Sequence, residues 1–179
     1  LSIHKLNNQT TTNGSVAYTL RIGADTILLI NNHLQSNRLT IKDKEAYKDM
    51  LKTPHGRTLK DGLKLLFNKL PHANKLRGPQ ADSVAAYIKR HGYHSVWVCG
   101  DFNDSPISYT HRILSEKLLD AFVESGKGVG ISYNQKGFPF RIDNILISKE
   151  WRPYNCRVDN TIDTSDHYPI WCYIKKISP

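Results

Sequence analysis

No run of eighteen or so apolar residues occurs in this 179-residue chain, so nothing in it reads as a membrane-spanning helix. Cysteine is scarce. Cys99, Cys156 and Cys172 are too few for a disulfide framework, and no paired Cys/His spacing suggests a zinc site. A Cys156–Cys172 bridge has no specific support in the sequence, and the redox compartment stays open. Methionine occurs once, at Met50, and the chain begins on Leu1. The expectation is therefore an excised piece or a processed form of a longer protein. Leu1 to Gly14 is mostly polar and shows no signal peptide. Acidic residues are also under-represented, with 16 against 25 lysines and arginines.

What is present is enough for one soluble domain. Hydrophobic residues make up 39% and charged residues 23%, which separates the chain from disordered sequences. The formal charge of +9 favours anionic partners: nucleic acid, phosphorylated small molecules or anionic lipid heads. The charge is uneven. From Arg38 to Arg77 eleven bases face four acids (Asp43, Glu45, Asp49 and Asp61). That stretch reads either as a solvated helical face or as a surface that steers substrate.

Val16 to Ile22 alternates apolar and polar residues, as a half-buried strand does, after the Asn13-Gly14 turn signal. Gly23-Ala24-Asp25 turns the chain, and Thr26 to Ile30 is almost wholly apolar, which predicts a hairpin. Thr40 to His91 reads as helical. Leu59, Leu63, Leu66, Phe67 and Leu70 form one apolar stripe bracketed by Pro54 and Pro71. A further helix is expected from Pro79 to His91, stopped by Gly92, with Ala81, Val84, Ala85 and Ile88 inward. Val96 to Cys99 is a short buried strand. Asp104-Ser105-Pro106 reads as a helix start, with Ile113, Leu114 and Leu118 buried. Ile142 to Ile147 and Tyr168 to Ile174 read as the last strands. Gly126, Gly128 and Gly130 fit no phosphate-loop spacing. Strands with inserted helices and a hairpin indicate a layered α/β or α+β domain rather than purely parallel winding.

Four strand ends carry polar groups suited to phosphate chemistry. Asp101 and Asn103 follow the Val96 strand two residues apart, with Phe102 between them facing the core if the backbone stays extended. A carboxylate there can orient or deprotonate water, and an amide can donate to a phosphoryl oxygen; the same string is also a common turn. Asp166-His167 precedes the Tyr168 strand, where the carboxylate can bind a cation or polarise the imidazole. Asp143 interrupts an apolar run and is either solvent-facing or a buried carboxylate needing a partner, with Arg141 at hand. His33 ends the Thr26 strand. For each histidine alone, a satisfied loop residue is the simpler reading. His4, His55, His72, His91, His94 and His111 read as surface residues. Oxygen ligands without cysteine point to magnesium, manganese or calcium.

The order Asn31-Asn32-His33-Leu34, Gly100-Asp101-Phe102-Asn103-Asp104, Arg141-Ile142-Asp143 and Ser165-Asp166-His167 resembles the endonuclease/exonuclease/phosphatase superfamily. That group includes pancreatic deoxyribonuclease, abasic-site endonucleases, neutral sphingomyelinases and inositol polyphosphate phosphatases. The resemblance implies an α+β fold of two packed, mainly antiparallel sheets flanked by helices, a four-layer sandwich. It implies that Asp101 aligns or activates water and that Asn103 contacts the phosphate. His167 would stabilise the phosphoryl group or shuttle a proton, with Asp166 beside it. His33 would contact the phosphate from the other side, and Asp143 would be a further site carboxylate. The implied cofactor is Mg2+, or Mn2+ or Ca2+, held by Asp101, Asn103 and Asp166.

One departure stands out. Family members carry an earlier strand-borne Asn, a Glu that is the principal magnesium ligand, and an acidic partner for the histidine matching His33. Leu1 to Thr12 contains no Glu or Asp. The chain is therefore expected to be the C-terminal portion of one domain spanning 1–179, with a basic helical insert at 38–92. Alone, it is expected to bind metal poorly and to be inactive. Some relatives carry hydrophobic anchor helices, so a membrane tether on the parent belongs to the expectation, as does a monomeric state. The expected activity is metal-dependent phosphoester hydrolysis on a nucleic acid, phospholipid or inositol phosphate. The competing expectation is a non-catalytic module of the same fold that holds nucleic acid or anionic lipid through the insert.

Overall fold

The computed structural model describes residues 2–37, 40–53, 55–135 and 140–177, with the backbone alone at 41 and 56–70. The described residues form eight strands: β1 (Ser2–Lys5), β2 (Gly14–Ile22), β3 (Asp25–His33), β4 (Ser95–Asp101), β5 (Leu118–Asp120), β6 (Asp143–Ser148), β7 (Trp151–Val158) and β8 (Ile170–Lys176). The helices are α1 (Ile41–Lys52), α2 (Gly56–His91), α3 (Tyr109–Ser115) and α4 (Ala121–Ser125). The first sheet has the order β1-β2-β3-β4-β6-β5, and β7 pairs with β8 in a second. Among the described residues only the β3–β4 pairing is parallel, because α1 and α2 form the long crossover between those two strands.

Alternation along the central strands sorts side chains into two layers. Leu28 and Ile30 of β3, with Val96 and Val98 of β4, face Ala81 and Val84 of α2 and Leu114 of α3. Ile27 and Trp97, one residue out of phase, face the second sheet, where they meet Trp151 and Ile174 together with Ile147 of β6. Trp97 and Trp151 pack edge to face with ring centres 5.2 Å apart. The fold is thus α+β, with two sheets packed on each other and helices flanking them.

Several expectations are corrected. The helix predicted from Pro79 is the last part of α2, which runs unbroken through both Pro71 and Pro79. Its buried positions, Ala73, Arg77, Gln80, Ala81 and Val84, continue one stripe past Pro79. Pro79 is exposed, and so is Lys75, whose carbonyl the ring deprives of a partner, so water can replace the lost bond. Gly92 closes α2 in the left-handed conformation, φ 59°. The stripe Leu59–Leu70 and Pro54 lie outside the described side chains. The helix expected at Asp104 starts at Tyr109, because Ser108 accepts from the His111 amide while Asp104 bonds Thr110 Oγ1 at 3.0 Å. Leu118 belongs to β5 rather than to that helix. Cys156 and Cys172 are free thiols on neighbouring strands.

Candidate active site

The site is set by strand register. His33 is paired with Asp101 across β3 and β4, and Asp101 with Asp143 across β4 and β6, so three strand ends present their side chains in one row. The row is tied at the backbone, where the Leu34 amide donates to the Asp101 carbonyl at 2.9 Å and the Phe102 amide to the Ile142 carbonyl at 2.8 Å. Gly100 is required. Its φ is 114°, and a Cβ there would collide with the Asn32 carbonyl oxygen.

Beyond Asp101 the strand does not stay extended. Asn103 has φ 53°, so its place beside Asp101 comes from a left-handed turn rather than from strand alternation. Within that turn the Asn103 amide donates to Asp101 Oδ1 at 2.7 Å. Its carboxamide donates to Asp101 Oδ2 at 2.9 Å and to the Leu34 carbonyl at 3.0 Å. Phe102 is fully buried, as expected from its place between them.

His167 reaches the row from the loop before β8. Its Nδ1 lies 2.8 Å from Asp143 Oδ2, and its Nε2 lies 4.0 Å from Asp101 Oδ2. His33 Nε2 stands 3.8 Å from the same Asp101 oxygen, on a side chain that is 56% exposed. Asp143 is therefore partnered by His167 and not by Arg141. The Asp166 carboxylate faces solvent, with Ser165 Oγ at 3.4 Å, and stands outside the tight group formed by Asp101, Asp143 and His167.

Electrostatics follow from this crowding. Burial, and then the negative charge of Asp143, push the Asp101 carboxyl up to about 6; the Asn103 amide and the two histidines offset only part of this. The Asp143 hydrogen bond holds the His167 imidazole above its ordinary value, against a smaller effect of burial. Asp101, Asp143 and His167 each offer one ligand atom, all within 4.8 Å of one another. Two crowded carboxylates, one of them costly to ionise, suit a divalent cation.

Four supporting groups were not singled out from sequence. Arg77 of α2 is 1% exposed. Its guanidinium donates to the Gln35 carbonyl at 2.9 Å, to the Asn103 carbonyl, and to Asn37 Oδ1 at 3.0 Å, and its Nε lies 3.2 Å from Asp104. It thus joins the loop after His33 to the loop after Asp101. Ser132 Oγ accepts from the amides of Ile142 and Asp143, both at 3.1 Å, and fixes the start of β6. Tyr133 packs against His167 with ring centres 5.2 Å apart. Finally, His111 is buried, contrary to the surface reading, because its Nε2 lies 2.8 Å from Asp120 Oδ2. Arg141 completes that cluster, with Nη2 donating to Asp120 at 2.7 Å and Nη1 to Asn144 Oδ1 at 2.8 Å. The signal for Arg77 was weak: one arginine on the buried stripe of α2.

No curated protein matches the chain. Among solved structures, a mannosyl-6-phosphatase of Bacteroides thetaiotaomicron superposes with a TM-score of 0.61 at 14% identity, over 91% of this chain and 57% of that one. A humanized TDP2 of D. rerio gives 0.63 at 17% identity, over 98% and 67%. The human Nocturnin catalytic domain, with a bound sulfate anion, gives 0.63 at 12% identity, over 99% and 59%. These likenesses show the fold, and the chain spans little more than half of the phosphatase's length. The sequence description of the endonuclease/exonuclease/phosphatase family matches residues 23–167, and the chain belongs to that family.

Proposed function

We propose that the protein hydrolyses a phosphoester with the help of a divalent metal ion. The observation that supports this best is the convergence of His33, Asp101, Asp143 and His167 from three strand ends and one loop. Asp101 and Asp143 would hold the ion, with the Asn103 carboxamide beside them. When bound, the ion would supply positive charge to the phosphoryl oxygens.

The protein's own groups carry the remaining chemistry. Asp101 orients the attacking water and takes its proton, a task open to a carboxylate in the row beside His167. His167, whose charged form the Asp143 hydrogen bond favours, faces the phosphoryl group as a cationic donor. His33 stands on the exposed side of Asp101 and contacts the phosphate from there. Arg77 and Ser132 hold the two carboxylate-bearing loops but touch no substrate.

The test is hydrolysis of bis(p-nitrophenyl) phosphate and p-nitrophenyl phosphate by the whole protein, with added Mg2+ or with chelator. Turnover that needs Mg2+ supports the proposal. Absence of turnover, combined with salt-sensitive binding of polyanions, supports the non-catalytic module instead.

A further inference from the structure

Resting on that reading, we infer that Lys44 of α1 binds a second phosphate of the substrate, so that the preferred substrate carries another phosphate beside the scissile phosphoester. His167 has an aromatic neighbour, Tyr133. Tyr133 is joined to it by an isolated antiparallel bridge, and their rings meet at 63° with centres 5.2 Å apart. The Tyr133 phenol oxygen accepts a hydrogen bond from Lys44 Nζ at 2.5 Å, which sets the ammonium 5.1 Å from the Tyr133 ring centre. The ammonium is thus held within about 10 Å of the imidazole that faces the scissile group.

Among the described residues, no carboxylate is ion-paired with Lys44. Its neighbour Asp43 is engaged at the helix start, accepting from the Thr40 amide and hydroxyl at 2.7 Å each. Lys48 follows one turn later on the same helix and adds charge of the same sign. A half-buried ammonium fixed by a phenol oxygen, and lacking a carboxylate, suits an anion arriving from solvent. An anionic group within that reach of His167 can belong to the same substrate as the scissile group. The chemistry is that of a phosphate, whether on a neighbouring nucleotide or on a sugar-like ring.

The test compares the whole protein with its Lys44→Gln and Lys44→Arg variants on three substrates: bis(p-nitrophenyl) phosphate, a short oligothymidylate and an inositol bisphosphate. We expect the ratio of kcat/KM for a two-phosphate substrate to that for bis(p-nitrophenyl) phosphate to fall about tenfold in Lys44→Gln, through KM, and to recover in Lys44→Arg. The substrate whose ratio falls identifies the source of the second phosphate. For the oligothymidylate, the slope of log affinity against log salt should shrink by about 0.7, one phosphate contact on a single strand. Affinity for the same compounds is also measured with chelator present, so Lys44 is judged even where no turnover occurs. An unchanged ratio together with unchanged affinities overturns the inference. Absence of all turnover in the unaltered protein overturns the hydrolytic reading instead.

Discussion

His167 Nδ1 and Asp143 Oδ2 lie 2.8 Å apart, and this contact joins a loop of the smaller sheet to the first residue of β6 in the larger one. Its consequence is a histidine whose charged form is favoured. The shift is upward, so its contribution to stability is fully present below pH 6.5 and is lost as pH rises through the raised value. In Asp143→Asn the imidazole should titrate at lower pH, closer to an ordinary histidine. Proton NMR of the His167 ring reads this directly. An unmoved titration would show that Asp143 does not set the charge.

Asp101 predicts a trade between stability and chemistry. Its carboxyl is raised from 3.8 to about 6, by burial first and by Asp143 second. That contribution is full below pH 3.8 and disappears as pH climbs through about 6, so at neutral pH the ionised group costs about 2–3 kcal/mol. Asp101→Asn removes the charge while losing some acceptor capacity toward Asn103. The net expectation is a gain of about 1 kcal/mol, a Tm rise of roughly 2–4 °C at pH 7. Mg2+ should raise the Tm of the unaltered protein more than that of the variant. Thermal melts with and without Mg2+ check both statements, and a lower Tm in Asp101→Asn would refute the first.

The buried cluster around Asp120 behaves oppositely. Burial pushes its carboxyl up, but hydrogen bonds from His111 and Arg141 outweigh this and hold it at about 2. Its stabilisation, about 2 kcal/mol, is present above pH 3.8 and is lost as pH falls through about 2. Asp120→Asn leaves Arg141 without its charged partner and should cost about 3 kcal/mol in urea unfolding at pH 7. The deficit should shrink in acid.

Arg77 ties the two site loops together from behind. Arg77→Lys keeps a charge but cannot make the guanidinium's spread of bonds to Gln35, Asn37 and Asn103. We expect kcat to fall by about tenfold or more with a smaller change in KM, because misplaced loops harm the transition state first. Circular dichroism should stay native. An equal loss in KM alone would point to substrate contact instead.

Much of this is legible in the sequence itself. The hairpin of β2 and β3, the strands β4 and β6, and the Asp101, Asp143 and His167 groups all announce themselves by polar residues set beside or within apolar runs. Other elements left weaker traces. All four residues of β1 are exposed, so the strand has no burial pattern to detect. In β7, Pro153 reads as a break, and an irregularity between Tyr154 and Arg157, with Asn155 at φ 50°, disrupts its alternation. The prolines of α2 misled because they lie on its exposed side. Lys44, Arg77 and His111 owe their settings to partners that are distant or loop-borne, such as Tyr133, Asn103 and Asp120, which local spacing does not encode.

The most direct test of the central claim is the kcat of Asp101→Ala and His167→Ala in the whole protein, measured on bis(p-nitrophenyl) phosphate with Mg2+. Both variants should remain folded and lose about a thousandfold or more of the activity. Magnesium-dependent turnover retained near the unaltered rate in either one would contradict the assignment of this cluster as the hydrolytic centre.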